Sequence, residues 1–169
     1  MKNGKAKIGL YSTRIALPPA ARQSLVDLLN TNLATLSDLY SQTKHSHWNV
    51  KGPQFWSLHK LFDELAEGVE EHTDEVAERI TAIGGIAKGT VRMAASGSKL
   101  KEYPEGVHFG MDVVKALADA FGVAANLTRD GIDAADKLGD ANTADLFTQI
   151  SRDLDQSLYF LESHLQNEA

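Results

Sequence analysis

The sequence contains no cysteine, which excludes disulfides and thiolate metal sites and leaves His, Asp and Glu as the available metal ligands. It also lacks any apolar run long enough to span a bilayer, and its N-terminal stretch lacks the apolar core of a secretory signal. We therefore expect a cytoplasmic protein that does not bind membranes. With 43% hydrophobic and 24% charged residues, the 169-residue chain has the balance of a single soluble globular domain.

Acidic residues are absent from the N-terminal stretch and abundant elsewhere. The first 26 residues contain five basic residues and no acidic ones, and three of the basic residues are Lys2, Lys5 and Lys7. Because the whole chain carries −6, the remaining residues carry −11. This pattern predicts a basic arm over residues 1–17, attached to an acidic domain over residues 18–169.

Four long stretches repeat apolar residues at three- and four-residue spacing, and no stretch alternates as a strand would. The predicted helices cover residues 18–48, 54–83, 109–138 and 143 onward. Asn142 is the expected N-cap of the last helix. Residues 84–107, rich in glycine, lysine and serine, form a long connection with a candidate short helix over residues 90–95. One long crossover between the second and third helices is typical of a ferritin-like four-helix bundle, so an all-α fold is predicted.

The second predicted helix carries two pairs of residues that can bind metal. His59 and Asp63 are four residues apart, as are Asp74 and Glu78, so each pair lies on one helix face a single turn apart. Asp63 and Asp74 are eleven residues apart, about three turns, so both pairs face nearly the same side. The pairs are nevertheless separated by about 16 Å along the axis, at about 1.5 Å per residue. One ion cannot be bound by both pairs of the same helix.

Two antiparallel copies of this helix about a two-fold axis would remove the problem, because the first pair of each copy then meets the second pair of the other. His47, at the end of the first helix, could approach the same site from the His59 side. Two imidazoles and three carboxylates suit iron, and zinc would fit the same ligand types. The alternative is that this acidic helix is simply a solvated face, since a spacing of four is common by chance.

The stretch over residues 43–85 resembles the signature of the Dps family, the mini-ferritins that protect DNA during starvation. In that family a His-Trp pair is followed by His after twelve residues, Asp after four, Asp after eleven and Glu after four. The same intervals separate His47-Trp48, His59, Asp63, Asp74 and Glu78. Residues 143–145 and 151–155 also resemble the family's last helix, so the likeness covers nearly the whole chain.

The resemblance implies a hollow homo-dodecamer with ferroxidase sites at its two-fold interfaces. Ferrous iron would be oxidised there, with hydrogen peroxide preferred to dioxygen, and stored inside as ferric mineral. The implied iron ligands are His47, His59, Asp63, Asp74 and Glu78. Trp48 has two interpretations, an oxidisable aromatic beside the site and an ordinary core residue. His45 and His72 point away from the ligand face by helical angle and are expected at the surface.

The resemblance also implies a pore and a DNA contact. Asp140 and Asp145 resemble acids that line the pores of relatives. The alternative to a pore role is that these residues are a helix-capping acid and an ordinary loop acid. Lys2, Lys5 and Lys7 resemble the arm of DNA-binding relatives, which would bind phosphates without reading sequence and place the shell on the nucleoid. Two rival functions stay open: a shell that compacts the nucleoid and uses metal only structurally, and a purely structural helical oligomer.

Overall fold

The computed structural model describes residues 9–166, and this part of the chain is all-α. Its helices, in order, are α1 (Pro19–Asn49), α2 (Phe55–Ala82), α3 (Val91–Gly97), α4 (Gly110–Lys137) and α5 (Ala141–Ser163). Extended pairing within these residues is limited to an isolated bridge between Lys51 and Phe109. The predicted all-α class with four long helices is confirmed. Across the same residues, no helix is long and apolar enough to cross a membrane.

The core lies between two helix pairs, α1 with α2 and α4 with α5, which make the most extensive contacts in the fold. Each long helix turns its apolar stripe towards this core. Phe62 of α2, Phe121 of α4 and Phe147 of α5 are fully buried in it. A Cβ at Gly131 would lie 3.0 Å from the ring of Phe147, so the close approach of α5 to α4 depends on a residue without a side chain.

Residues 83–109 form the predicted crossover between α2 and α4. Its short helix α3 confirms the candidate helix at residues 90–95 and packs against α1. The buried amide of Asn30 anchors the crossover, because its Oδ1 accepts from Lys88 N at 2.8 Å and its Nδ2 donates to Ile86 O at 3.2 Å. A segment with little secondary structure is thereby attached to α1.

The start of α5 differs from the prediction. The helix begins at Ala141 with Asp140 in the cap position, so Asn142 is not the N-cap. Gly139, with φ +79°, turns the chain just before it, and the Asp140 side chain bonds to Arg79 of α2. α5 therefore begins earlier in the chain than local propensity predicts, next to a residue that forms an ion pair with α2.

Part of the predicted basic arm lies against the bundle. Tyr11 N donates to Gly84 O at 2.8 Å, and Arg22 Nη1 donates to Tyr11 O at 3.0 Å. Gly84 has φ +86°, and a Cβ there would come within 2.5 Å of Tyr11 O, so this contact requires glycine. Outside the described residues lie the arm lysines Lys2, Lys5 and Lys7.

Candidate metal centre

Two imidazoles meet where the end of α1 leads into the start of α2. His47 is in the last turn of α1 and His59 is in the second turn of α2. Gly52, with φ +112°, lies in the turn that reverses the chain between them. The two rings stack, with centroids 3.8 Å apart and an interplanar angle of 19°. The turn therefore brings together two residues that the sequence separates by twelve positions.

The hydrogen bonds of these rings determine which nitrogen can bind a cation. His47 Nδ1 lies 2.7 Å from the backbone oxygen of His59, and His59 Nδ1 lies 2.9 Å from the backbone oxygen of His47. A carbonyl oxygen only accepts, so both Nδ1 atoms carry hydrogen. Each neutral ring therefore keeps its lone pair on Nε2, as metal-binding histidines do when a backbone carbonyl orients them.

Asp63 adds a carboxylate beside the stacked rings. Its Oδ1 lies 3.7 Å from Nε2 of His47 and 2.7 Å from Nζ of Lys44. The hydrogen bond from Lys44 is the largest of the causes that hold the pKa of Asp63 below its usual range, and the same bond raises the pKa of Lys44. Asp63 is thus ionised at neutral pH, and a metal ion that binds it competes with the Lys44 ammonium.

The remaining predicted ligands, Asp74 and Glu78, are exposed farther along α2. Between residues 9 and 166, no three His, Asp or Glu side chains converge closely enough to hold a metal ion. One chain therefore presents two incomplete ligand sets, about 16 Å apart along α2 at about 1.5 Å per residue. We call them the imidazole half-site (His47, His59 and Asp63) and the carboxylate half-site (Asp74 and Glu78).

Both tryptophans of the chain are exposed near the imidazole half-site. Trp48 is 65% exposed and Trp56 67% exposed, so Trp48 is not a core residue of the single chain. Trp48 instead lines a cavity of about 470 Å³ together with Tyr40 and Lys44. Trp56 is not among the residues predicted from the sequence, and its ring centroid lies 6.4 Å from that of His59. Trp56 precedes His59 by three residues and so lies on the same face of α2, and this spacing is the sequence signal that indicates a residue near the half-site.

The two candidate pore acids have different surroundings. Asp140 is buried, and both of its carboxylate oxygens accept from Arg79 Nη2, at 2.8 and 2.7 Å. Burial on its own would raise the pKa of Asp140, but hydrogen bonds from Thr143 and Arg79 outweigh it and hold that pKa below its ordinary value. A buried and paired carboxylate does not offer open negative charge, so the structure argues against Asp140 as a pore residue. Asp145 is exposed and stays a candidate.

His72 is buried, contrary to the prediction that it lies at the surface. It is 6% exposed, with Nδ1 3.0 Å from Glu75 Oε2 and Nε2 3.1 Å from Asp153 Oδ2. Asp153 belongs to α5, which packs on α2 here and which helical angles within α2 alone could not reveal. His45 is exposed as predicted, and its ring packs on Tyr103 with centroids 4.8 Å apart.

Comparison with known proteins identifies the family. A family model described as a ferritin-like domain matches residues 26–169. A DNA protection during starvation protein from Agrobacterium fabrum is 42% identical over 159 residues, which cover 94% of this chain and 98% of that relative. The chain belongs to the Dps family of ferritin-like proteins. The resemblance found in the sequence is therefore confirmed.

Further members of the Dps family share this architecture. A DNA protection during starvation protein from Halobacterium salinarum is 31% identical over 172 residues, covering 99% of this chain and 93% of the relative. The structure of DpsC from Streptomyces coelicolor matches with a TM-score of 0.90 at 28% identity, covering 95% and 94% of the two chains. A Dps protein from Vibrio cholerae, described as one of the ferritin-like diiron-carboxylate proteins, matches with a TM-score of 0.85 at 26% identity, covering 92% and 98%. Family membership supports iron storage and DNA protection as general roles.

Proposed function

We propose that this chain is the protomer of a hollow homo-dodecameric shell that oxidises Fe(II) between subunits and stores ferric mineral inside. The imidazole half-site carries the proposal. Two stacked rings with lone pairs on Nε2, and an ionised carboxylate 3.7 Å from one of them, form half of a mixed nitrogen and oxygen ligand set. Such a set suits iron. The carboxylate half-site offers the missing oxygen donors, but only a second copy can bring them close.

A two-fold axis that packs two α2 helices antiparallel joins each imidazole half-site to the carboxylate half-site of the other copy. Each shared site then has two imidazole nitrogens and three carboxylates. We expect Asp63 and Glu78 to be the firmest iron ligands, and Asp74 to bind a second iron directly or through water. Zinc accepts the same donors but has no redox chemistry, so it would occupy the site and block oxidation.

Hydrogen peroxide is the oxidant that fits a site holding two ferrous ions as substrate. Each Fe(II) gives up one electron, and the O–O bond takes both electrons and two protons to become two water molecules. This paired transfer avoids the one-electron cleavage that releases hydroxyl radical. Iron storage and protection from oxidative stress would then be consequences of one reaction.

Asp145 is our candidate for an acidic entrance to the shell. It is exposed close to the start of α5, and negative charge at an opening concentrates ferrous ions. We expect Asp145→Asn to slow iron entry at low ionic strength, with the effect shrinking as salt screens the charge.

We also propose that the shell binds DNA without sequence preference, through the lysines at positions 2, 5 and 7, and associates with the nucleoid in the cytoplasm. The rest of the chain carries −11 and repels phosphate, so a single arm binds weakly. Many arms on one shell act together, which raises avidity by orders of magnitude. Tyr11 is bonded to Gly84, so we place the DNA contact in the part of the arm that precedes this residue.

The iron test uses the assembled shell under anaerobic conditions, with two ferrous ions per site followed by a peroxide pulse. We expect fast oxidation, with the iron retained in a dodecamer-sized particle. Glu78→Gln and Asp63→Asn should abolish the fast phase, whereas Glu162→Gln, which removes an exposed charge from α5, should not. Slow oxidation with iron precipitating outside the shell would reject the ferroxidase. If DNA compaction then survived Asp63→Ala and Glu78→Ala, the nucleoid-compacting shell would be favoured.

The DNA test compares the parent shell with a variant that carries glutamine at Lys2, Lys5 and Lys7. We expect the parent to retard DNA in a gel at low salt and the variant to lose this retardation while oxidising iron normally. Unchanged retardation would mean that the arm is not the DNA contact.

A further inference from the structure

The spacing of the two half-sites determines the register in which two copies of α2 pair. Joining the half-sites places Asp63 of one copy opposite Asp74 of the other. His59 then lies opposite Glu78, because both ligand pairs have the same four-residue spacing. The two pairings share one midpoint on α2, halfway between Asp63 and Asp74, so the two-fold axis crosses the helix there. Every residue on one side of this midpoint faces the residue that lies equally far on its other side in the second copy.

Two glutamates flank this midpoint. Glu67 and Glu70 lie equally far from it, so Glu67 of each copy faces Glu70 of the other. At about 100° per residue they lie about 40° and about 20° from Asp63 around α2, on the face that carries the metal ligands. Both are exposed in the single chain. Four carboxylates therefore meet within about 5 Å along the helix, at about 1.5 Å per residue.

We propose that the two-fold contact between copies is centred on these four glutamates, so that it forms fully only when metal ions or dissolved salt offset their charge. This inference rests on the proposed ferroxidase function, which supplies the register of the two helices. Packed helices have their axes about 8–10 Å apart, which brings facing side chains together. Like charges that face each other across an interface oppose association.

Lys44 is the neighbouring cation, and it is too heavily engaged to cancel this charge. It lines the same cavity as Glu70. The hydrogen bond to Asp63 is the largest cause that raises the pKa of Lys44, and the charge of Glu67 acts in the same direction. Lys44 Nζ is only 2.7 Å from Asp63 Oδ1, so its charge is already paired. Two lysines from the two copies thus face four glutamates and two ionised aspartates, and negative charge remains in excess.

Metal loading and pairing of the copies then favour each other. Each ferrous ion in a shared site brings two positive charges beside the glutamates, so loading reduces the repulsion that weakens the empty contact. By linkage, a stronger contact raises the affinity of the shared site for metal to the same extent. Salt also strengthens the contact, because it screens exposed like charges. A contact held by opposite charges would show the reverse response to salt.

The test follows the assembly of the full-length, metal-free shell by sedimentation velocity as NaCl rises from about 0.02 M to about 0.5 M. We expect the parent to be several-fold more dissociated at the low-salt end. Zn²⁺, which carries the charge of ferrous iron without its redox chemistry, should reassemble it there. Glu70→Arg places a guanidinium opposite Glu67, so this shell should stay assembled at low salt and loosen as salt rises. Glu70→Gln should fall between the two.

Glu64→Arg is the matched control. Glu64 is an exposed glutamate of the same helix, but it lies about 100° around α2 from Asp63. The control makes the same change in net charge as Glu70→Arg and should keep the salt response of the parent. General repulsion between acidic copies would instead make the two variants alike.

The outcomes separate this inference from the proposed function. A metal-free parent that stays fully assembled at low salt overturns the inference, as does a Glu70→Arg shell that responds to salt as Glu64→Arg does. Failure of Zn²⁺ to reassemble the parent also overturns it. In each case, rapid oxidation at two ferrous ions per site leaves the ferroxidase standing. If the salt response reverses in Glu70→Arg alone, the pairing of the glutamates is supported, and slow iron oxidation would then reject only the ferroxidase.

Discussion

The carboxylate of Asp140, at the start of α5, is bonded to Arg79 in the C-terminal turn of α2. Arg79 directly follows Glu78 in the sequence. Arg79 Nη2 contacts both oxygens of Asp140, at 2.8 and 2.7 Å, and Arg79 Nε donates to Thr143 Oγ1 at 3.0 Å. Thr143 Oγ1 in turn donates to Asp140 Oδ2. The three side chains close a ring of hydrogen bonds. We expect this ring to hold the carboxylate half-site in place relative to the rest of the bundle.

Arg79→Met tests how much this attachment contributes. The side chains of Arg79 and Asp140 are only 14% and 5% exposed, so the variant leaves a nearly buried carboxylate without its counter-charge. Removing one partner of a buried ion pair costs about 3–5 kcal/mol. For a chain of this size each kcal/mol lowers Tm by about 2–4 °C, which gives an expected loss of about 6–20 °C. Asp140→Asn in the same chain should restore part of it, because neither charge is then unpaired.

The effect should depend on pH with a definite sign. The pKa of Asp140 is lowered in the folded chain, so the carboxylate stabilises the fold above the ordinary carboxyl pKa, and this contribution is lost as pH falls through the folded pKa. The difference in Tm between parent and Arg79→Met is therefore expected to be full at pH 7 and to shrink in acid below about pH 4.

Thermal unfolding by circular dichroism at fixed protein concentration measures both effects. Arg129→Met is the control, because the Arg129–Asp155 pair joins α4 to α5 but its side chains are 56% and 45% exposed. Exposed pairs contribute about 0–1 kcal/mol, so this control should change Tm little. A loss in Arg79→Met no larger than that of the control, or one that does not diminish in acid, would contradict the assignment.

Two further predictions concern the iron ligand Asp63 and the packing at the end of α2. Lys44→Met should raise the pKa of Asp63 towards its ordinary value and strengthen the binding of Zn²⁺ as an iron substitute, since the competing ammonium is gone. Carboxyl NMR measures the pKa and titration calorimetry measures the Zn²⁺ affinity. An unchanged Zn²⁺ affinity would refute the competition between Lys44 and the metal. Gly85→Ala should destabilise the fold by about 1–3 kcal/mol, because its Cβ would lie 2.5 and 2.9 Å from the methyl groups of Val26. Gly122→Ala, with nothing within 4 Å of its Cβ, should instead stabilise α4 by about 0.5–1 kcal/mol in the same thermal assay, and equal effects of the two would refute the packing argument.

Local periodicity was sufficient for the helices and for the spacing of the metal ligands. Apolar residues at three- and four-residue intervals predict α1, α2, α4 and α5 because one helical turn contains about 3.6 residues. The same geometry places His59 with Asp63, and Asp74 with Glu78, on one face of α2. It also shows that these pairs are too far apart to share an ion within one chain. These conclusions require only residues within a few turns of one helix.

The tertiary structure decided what each of these side chains bonds to. The turn at Gly52 stacks His47 on His59, and only this contact places the two Nδ1 hydrogens and leaves both Nε2 atoms for metal. The packing of α5 on α2 buries His72, which is predicted at the surface from the sequence, and Asp140, for which a pore position and a helix cap were the two alternatives. The physical reason is distance along the chain. Asp140 is neutralised by an arginine 61 positions earlier in the sequence. The 3.6-residue periodicity of a helix cannot predict a partner so far away along the chain.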